Sequence, residues 1–258
     1  MALFTVRLKF HGALTFFLKG TETILERHLN EKTSVKDVIE SCGVPHTEVD
    51  LILVDREPVD FAFRLERNAD VDVHPVEATP VLFPAKRLQA RNIMRFIADG
   101  HLGKLVRDLR LLGFDVLYDR DAEDRQLLEQ LKIDPPSQSY GAAGNHRTLL
   151  TRDRRLLMHA IVRHGYYLRS QDPFEQTLEV IRRFGLAPVI YPFTRCLRCN
   201  APLEKVDKRK IFERLEPLTK KYYDEFRHCS GCDQVYWGGS HFSKLKHRIA
   251  LIRARLQE

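Results

Sequence analysis

The sequence lacks a long apolar run. Nowhere in its 258 residues does a stretch approach the roughly 18 apolar residues that a membrane-spanning helix needs. The first twelve residues, MALFTVRLKFHG, contain neither a long apolar region nor a small-residue cleavage site, so a secretory signal is also missing. These absences argue against a membrane protein and a secreted one. We therefore expect a cytoplasmic protein with no membrane partner.

Cysteine is scarce, and its placement is uneven. Of five cysteines, Cys42 stands alone and the others form the Cys-x-x-Cys pairs Cys196/Cys199 and Cys229/Cys232, with 29 residues between the pairs. Without a secretory signal, such pairs indicate a metal site rather than disulfides. Four thiolates suit one tetrahedral Zn²⁺ with no open position, so the predicted zinc is structural; the alternative is two reduced dithiols. For Cys42 we expect a buried, small apolar role.

Basic residues are in the minority only near the amino terminus. Residues 1–76 carry 9 Lys and Arg against 13 Asp and Glu, whereas the whole chain carries 42 against 35. The basic excess therefore lies after residue 76. Such an excess favours a polyanionic partner; a solvated basic face without a ligand is the alternative.

The length predicts more than one structural unit, since domains usually hold about 100–200 residues. The sequence pattern divides the chain into a small first domain, a linker with two prolines, a central domain and a cysteine-containing last domain. The predicted bounds are 1–76, 77–92, 93–190 and 191–258.

The first predicted domain has a ubiquitin-like pattern. Two apolar runs, LFTVRLKF and LTFFLKG, predict a hairpin; a helix begins after Ser34 and ends near Cys42, and strands follow at 51–54 and 70–74. This order resembles the β-grasp fold of small sulfur carriers. Those carriers need a free carboxyl-terminal Gly-Gly, which the following segment VEATPVLFPAKR lacks. We therefore expect this domain to dock a protein partner or position a substrate rather than to transfer sulfur.

The central domain alternates apolar strands with helix-period segments. Four such repeats predict a doubly wound parallel sheet, and the segment KIDPPSQSYGAAGNHR at 132–147 predicts a loop or insertion. After the first strand, IMRFIA, the predicted elements are a helix at 102–112, a strand at 116–118, a helix that starts at Glu123 or Asp124 and carries Leu127, Leu128 and Leu131, a strand at 148–151, a helix at 154–164, a strand at 166–169 and a helix at 173–184.

Aspartates follow the apolar runs of this domain. Asp99 and Asp153 each end such a run, Asp124 begins the second helix, and Asp172 follows the fourth strand. Parallel strands place their carboxyl ends at one edge, where converging carboxylates need a cation such as Mg²⁺ or Mn²⁺. Such an ion activates water and stabilises the leaving oxygen in phosphodiester hydrolysis. Each aspartate taken alone is also a common helix cap.

Other side chains are suited to hold RNA. Cations can bind phosphates, and aromatic rings beside the second cysteine pair can stack on unpaired bases, although such rings also cover small cores. The predicted RNA-binding residues are Lys104, Arg107, Arg152, Arg154, Arg155 and Trp237.

Several motifs together resemble one nuclease family. RFIADGHLGKLVRDLRLLGFDVLY, LLTRDRRLL, YLRSQDPFEQ, RCLRCNAPL and CSGCDQVYWGGSH, within residues 94–242, resemble PIN-domain nucleases and closely the Mut-seven C-terminal RNase family, in which a zinc ribbon follows the nuclease domain. The resemblance implies a PIN-like fold and metal-dependent ribonuclease activity. It places Asp99, Asp124 and Asp153 at acidic active-site positions, with Asp172 near a fourth.

Two alternatives remain within this resemblance. The insertion after residue 131 leaves the second carboxylate open among Asp121, Glu123 and Asp124. Some PIN domains keep the fold with an incomplete site, so a non-catalytic RNA-binding or adaptor protein is the alternative function.

Overall fold

The computed structural model describes residues 3–76, 83, 86–90, 93–133 and 147–258. Much of the predicted linker, and residues 134–146 of the predicted loop, therefore lie outside the described residues. The protein forms two compact units, each built from two chain segments. The first unit comprises residues 1–93 and 122–167, and the second comprises 94–121 and 168–258.

The amino-terminal part of the first unit is a sheet domain with one α-helix among residues 3–76. Ser34 caps that helix by accepting a hydrogen bond from the Asp37 N–H, as the sequence predicted. The elements are β1 (Phe4–Phe10), β2 (Ile24–Leu29), β3 (Thr33–Ser34), α1 (Val35–Ser41), β4 (Val49–Val54), β5 (Glu57–Val59), β6 (Arg64–Leu65) and β7 (Ala69–Pro75).

Within residues 3–76, five strands form a sheet in the order β2-β1-β7-β4-β5. Its central pair, β1 and β7, is parallel, and Phe10 lies opposite Val73. Alternate residues of β1 and β7 point into a core that α1 covers with Val35, Val38 and Ile39. Cys42 is part of this core, as predicted, and burial raises the pKa of its thiol.

The chain opens with two antiparallel strands, as predicted, but the position predicted for the second strand is wrong. Its first four residues, 14–17, belong to a 3-10 helix at Gly12–Phe17, and the strand antiparallel to β1 is Ile24–Leu29. Gly12 has a φ of +52°, which turns the chain out of β1, and Leu14 and Phe17 are both buried. Their spacing of three residues matches one 3-10 turn, so an apolar run that resembled a strand buries one helical side.

Strand and helix alternate after residue 93, as predicted. The elements are β8 (Arg95–Ala98), α2 (Gly103–Leu111), β9 (Asp115–Tyr118), α3 (Asp124–Ile133), β10 (Thr148–Thr151), α4 (Arg154–Leu157), β11 (Gly165–Tyr167) and α5 (Pro173–Phe184). In the second unit β8 and β9 are parallel, and in the first unit β10 and β11 are parallel. The parallel strands confirm a mixed α/β architecture; the PIN-like, doubly wound arrangement stays a prediction.

Helix α4 is shorter than predicted. It ends at Leu157, whereas the pattern predicted a helix to residue 164. The carbonyl of Val162 accepts a 2.7 Å hydrogen bond from Nε2 of buried His46, whose Nδ1 is 2.6 Å from a carboxylate oxygen of Glu40. The Val162 carbonyl, which the predicted helix would have contained, is therefore hydrogen-bonded to a residue 116 positions away in the first unit.

This contact is one of several that join the sheet domain to residues 147–167 inside the first unit. The backbone N–H of Tyr167 donates to a carboxylate oxygen of Glu48 at 2.7 Å. A Cβ on Gly165 would come within 3.3 Å of Thr47 and 2.5 Å of Cδ2 of Leu157, so a larger residue here would require the Leu157 side chain to move.

The carboxyl-terminal part of the second unit holds the cysteine pairs. Its elements are β12 (Leu203–Val206), α6 (Lys208–Ile211), α7 (Pro217–Tyr222), β13 (Phe226–Cys229), β14 (Val235–Trp237) and α8 (Ser240–Gln257). Strands β12, β13 and β14 form an antiparallel sheet over a small apolar cluster of Ile211, Leu215, Phe226 and Val235. No helix among the described residues is both long and apolar enough to cross a membrane.

Helix α8 packs against α5, and α5 packs against α2 within the second unit. Buried Asp108 of α2 accepts hydrogen bonds from the Arg248 guanidinium, the shortest at 2.6 Å, and from the Thr177 hydroxyl at 3.3 Å. The basic helix α8 thus contributes a partly buried ion pair as well as the buried side chains of Ile249 and Ile252.

Candidate functional sites

The two cysteine pairs form matching knuckles. In the first, the Asn200 N–H donates to the Cys196 carbonyl at 3.0 Å, and in the second the Asp233 N–H donates to the Cys229 carbonyl at 2.8 Å. Asn200 and Asp233 follow the second cysteine of their pairs, and both have left-handed backbones, with φ of 75° and 62°. Asparagine and aspartate tolerate this conformation better than other non-glycine residues.

The four thiols converge on one point. The distance between sulfur atoms is 3.5 Å for Cys196 and Cys232, 3.3 Å for Cys199 and Cys229, and 3.7 Å for Cys229 and Cys232. A tetrahedral Zn²⁺ with bonds of about 2.3 Å to sulfur requires sulfur atoms about 3.8 Å apart. No disulfide links these cysteines. The donor set therefore fits a structural zinc, which these four residues would hold.

Local hydrogen bonds prepare one thiol for a metal. Burial opposes ionisation of Cys196, but hydrogen bonds from the Tyr236 hydroxyl and from the backbone N–H groups of Cys199 and Arg198 outweigh it and lower the pKa of Cys196 to about 6. Burial and the contact with Cys196 in turn raise the pKa of Tyr236. The Tyr236 hydroxyl also accepts from the Leu197 N–H at 3.2 Å, so it stabilises the first knuckle.

The first knuckle also covers the edge of β9, inside the second unit. The Arg110 guanidinium donates to the Val116 carbonyl at 2.8 Å and to the Arg198 carbonyl at 2.9 Å. Asn200 accepts from the Val116 N–H at 3.0 Å and donates to Asp115 at 2.8 Å. The N–H and the carbonyl of Val116, in the strand that pairs with β8, are thus both hydrogen-bonded to side chains.

A carboxylate edge lies where β8 and β9 end. Ala98 is opposite Tyr118 in the parallel register, so the next residues, Asp99 and Asp119, occupy equivalent positions after neighbouring strands. The sequence had singled out Asp99 and missed Asp119, although Asp119 directly follows the predicted strand at 116–118. Asp119 accepts a 3.1 Å hydrogen bond from the Asp121 N–H.

Close packing fixes this edge. The Tyr118 hydroxyl donates to the Gly100 carbonyl at 2.8 Å, and burial raises the pKa of that hydroxyl, so it remains a donor. A Cβ on Gly100 would lie 2.5 Å from the Arg120 carbonyl, and a Cβ on Gly103 would lie 2.7 Å from the Tyr118 hydroxyl. Larger residues at either glycine would push the two loops apart.

Asp153 and Asp172 cap helices. Asp153 accepts from the N–H groups of Arg155 and Leu156, and Asp172 accepts from those of Phe174 and Glu175. In both residues these bonds use only Oδ1. Capping therefore does not exclude a second role for Oδ2, and the two interpretations left open by the sequence are compatible.

The three alternatives for the second carboxylate are all exposed. Asp121 precedes α3, Glu123 is next to its start, and Asp124 is its first residue. The Glu123 carbonyl accepts from the Gln126 N–H at 2.9 Å. The structure does not select among these three residues.

The predicted phosphate-binding cations differ in their surroundings. Lys104, Arg107, Arg152 and Arg155 are exposed. Arg154 instead donates to the Phe17 carbonyl at 3.0 Å, and its guanidinium lies 5.1–5.6 Å from the ring centroids of Phe16, Phe17 and Tyr167, all in the first unit.

The segment that contains both cysteine pairs, residues 196–237, is called the ribbon below. Its surface carries exposed aromatic rings with lysines beside them. Trp237 is 38% exposed and lines a groove of about 250 Å³ between α7 and the β13–β14 hairpin. On the same ribbon, Lys220 lies 4.5 Å from the Phe212 ring centroid and Lys221 lies 5.3 Å from that of Tyr222. We call Phe212, Lys220, Lys221, Tyr222 and Trp237 the ribbon surface.

Two groups of metal-type ligands are compact among the described residues. One is the four-cysteine site, and the other is His11, Asp72 and His74; within each, the ligand atoms all lie within 4.8 Å of one another. None of the predicted carboxylates belongs to either group.

Comparison with protein-family models confirms the resemblance drawn from the motifs. Residues 94–249 match the Mut7-C RNAse domain, and residues 3–80 match the Mut7-C ubiquitin domain. No curated protein and no solved structure matched the chain.

Proposed function

The chain belongs to the Mut7-C RNAse domain family, and on that premise we propose that it is a metal-dependent ribonuclease that hydrolyses RNA phosphodiester bonds. Its carboxylates would hold Mg²⁺ or Mn²⁺. The observation that carries the proposal is the register of β8 with β9, which aligns Asp99 with Asp119 after adjacent parallel strands. Oxygen ligands of this kind suit a hard divalent cation.

The donor set defines the work of each residue. Asp99 and Asp119 supply anionic oxygens, while Gly100 and Tyr118 keep the two loops close. A bound Mg²⁺ or Mn²⁺ would activate the attacking water and stabilise charge on the leaving oxygen. The same ligand role is proposed for Asp124, Asp153 and Asp172 on the resemblance of their motifs.

RNA would be held by charge and by stacking. Exposed Lys104, Arg107, Arg152 and Arg155 are proposed to contact phosphates. The ribbon surface adds what unpaired bases need, namely exposed rings with cations beside them. The ubiquitin-like domain is proposed to bind a protein partner.

A non-catalytic RNA-binding adaptor is the second candidate. The helix caps favour the adaptor, because Asp153 and Asp172 already stabilise the starts of α4 and α5 and need no catalytic role to explain their presence. The two functions differ in whether RNA is cut and not in whether it is bound.

The experiment is a cleavage assay on labelled single-stranded, structured and transfer RNAs. Mg²⁺ and Mn²⁺ are added or omitted, and no chelator is used, because a chelator would also attack the four-thiolate zinc. We expect cleavage that requires the added ion and that falls by orders of magnitude in Asp99→Asn and Asp119→Asn. Glu129→Gln, an exposed carboxylate of α3 paired with Lys132, is the matched control and should cleave normally.

The outcomes separate the parts of the proposal. RNA binding without cleavage under any ion supports the adaptor. Cleavage lost in Asp99→Asn but kept in Asp119→Asn removes Asp119 from the ligand set. Cleavage that survives Asp99→Asn and the omission of both ions contradicts the metal-dependent mechanism.

A further inference from the structure

The ubiquitin-like domain carries a second cluster of metal-type ligands, distant in sequence from the four-cysteine site. His11 Nε2 lies 2.7 Å from Oδ1 of Asp72, and the rings of His11 and His74 stack with centroids 4.1 Å apart. The ligand atoms of the three residues all lie within 4.8 Å of one another. The cluster belongs wholly to residues 3–76.

The sheet brings these residues together without help from loops elsewhere. Asp72 and His74 are two residues apart on β7, so both point to the face opposite the buried Val71 and Val73. His11 directly follows β1, the parallel neighbour of β7, and its N–H donates to the Val73 carbonyl at 3.0 Å. The backbone positions of all three ligands are therefore set by the central strand pair.

The site is accessible but not fully solvated. The side chains of His11 and Asp72 are 27% and 34% exposed, and His74 is half-buried. Such exposure leaves room for an ion that keeps water ligands, while the sheet supports one side. In the register, Asp72 faces Lys9 on β1 and Leu53 on β4, and His74 faces Leu51. Lys9 is exposed, so its ammonium can extend away from an ion at Asp72.

We propose that His11, Asp72 and His74 bind one Zn²⁺ or a similar borderline transition cation. Two imidazoles and one carboxylate match the preference of such ions for mixed nitrogen and oxygen ligands, whereas Mg²⁺ prefers oxygen alone. The stacked rings are parallel, so one imidazole turns about its χ2 for both nitrogens to face the ion. Binding also replaces the hydrogen bond between His11 and Asp72. The bound ion links β1 to β7 at the point where the 3-10 helix Gly12–Phe17 begins.

The test counts zinc and does not measure nuclease activity. Full-length protein with its four-cysteine site already filled is titrated calorimetrically with Zn²⁺, and bound zinc is then counted by elemental analysis after gel filtration. We expect one further zinc per chain in the wild-type protein and its loss in His11→Gln, His74→Gln and Asp72→Asn. His28→Gln is the matched control, since His28 is an exposed histidine of neighbouring β2 outside the cluster, and it should retain the further zinc.

Each outcome decides the proposal. Absence of a further zinc in the wild-type protein overturns it, because the cluster is then a hydrogen-bonded stack alone. A further zinc that survives all three cluster substitutions also overturns it, because the ion then binds elsewhere. Should a histidine variant fail to fold, Asp72→Asn preserves side-chain shape and carries the test, and circular dichroism establishes that it is folded.

Discussion

Asn200, in the first cysteine knuckle, accepts a 3.0 Å hydrogen bond through Oδ1 from the backbone N–H of Val116 in β9. Its amide nitrogen donates to Asp115, and its backbone is left-handed with φ of 75°. Val116 is completely buried, so this N–H has no access to water. The knuckle that would hold zinc therefore also completes the hydrogen bonding of the parallel strand pair.

Replacing Asn200 by glycine tests this relationship. Glycine adopts the left-handed backbone without strain, but the Val116 N–H would be left buried and unpaired. We expect the free energy of unfolding, from denaturant titration of the zinc-loaded protein, to fall by about 1–3 kcal/mol. Asp233→Gly is the control, since Asp233 has the same backbone in the second knuckle but its exposed carboxylate pairs with Arg214 and His228 rather than with a buried N–H group. Equal losses in the two variants would assign the effect to the knuckles in general.

Removing zinc should disturb more than the ribbon. The ribbon has a small apolar cluster of its own, so we expect its antiparallel sheet to unfold without metal. Because Arg198 and Asn200 would then leave Arg110 and Val116, amide exchange should also rise along α2 and β9. Hydrogen exchange read by mass spectrometry measures both regions. Protection of β1 and β7 should not change, and exchange confined to residues 196–237 would contradict the predicted coupling.

Elements defined by local chemistry were predictable from the sequence. Asp172 caps α5, Pro173 occupies its first turn, and Gly185 ends it with φ of 62°. Each of these residues acts on its own neighbours, so no knowledge of the rest of the chain is needed. The two cysteine knuckles were predictable for the same reason, because each Cys-x-x-Cys pair forms its own turn.

Elements decided by distant contacts were not predictable. Residues after Leu157 have helical spacing, yet the Val162 carbonyl bonds to His46, 116 residues away. The run containing Leu14 and Phe17 resembles a strand, but its burial follows the 3-10 period. Asp119 was missed although it follows a predicted strand as Asp99 does; what the sequence does not show is the register of β8 with β9, which aligns the two residues.

Arg154 and Arg155 are adjacent, and their substitutions should separate packing from RNA binding. Arg154 bonds to the Phe17 carbonyl and lies over three aromatic rings, whereas Arg155 is exposed. We expect Arg154→Ala to lower the free energy of unfolding by about 1–3 kcal/mol, which is more than Arg155→Ala should lower it. Arg155→Ala should instead weaken RNA binding and reduce its salt dependence. Thermal unfolding and filter binding at two salt concentrations measure the two effects. If Arg154→Ala weakened RNA binding and Arg155→Ala lowered stability, Arg154 would be the residue that contacts RNA.

Cys42 should resist alkylation in the native protein. Burial raises the pKa of its thiol above the ordinary value of 9.0, and the thiolate is the reactive form. Because the folded value is the higher one, burial of the neutral thiol stabilises the fold fully below pH 9, and this contribution is lost as the pH rises through the raised value. Iodoacetamide labelling followed by mass spectrometry measures the reaction. The double variant Ser41→Cys, Cys42→Ala places a thiol at an exposed position of α1 and should react readily; equal labelling of both proteins would contradict burial as the cause.

The last prediction separates capping from catalysis at Asp153. Both cap hydrogen bonds use Oδ1, so Asp153→Asn keeps an acceptor for the Arg155 and Leu156 N–H groups and removes the negative charge. We expect nearly unchanged stability in that variant and loss of cleavage by orders of magnitude, because an amide is a poor ligand for Mg²⁺ or Mn²⁺. Asp153→Ala should lose cleavage as well and also about 1 kcal/mol of stability, the usual cost of a missing cap.

Asp172 provides the comparison, since it also caps its helix, α5, through Oδ1 and the family resemblance places it near a fourth acidic position. Asp172→Ala should lose a similar amount of stability, about 1 kcal/mol, and its effect on cleavage reports whether a fourth carboxylate takes part. Thermal unfolding and the RNA assay are run on the same preparations. If Asp153→Asn cleaves RNA like the wild-type protein while Asp153→Ala is only less stable, Asp153 is a cap alone and the site of hydrolysis, if there is one, does not depend on it.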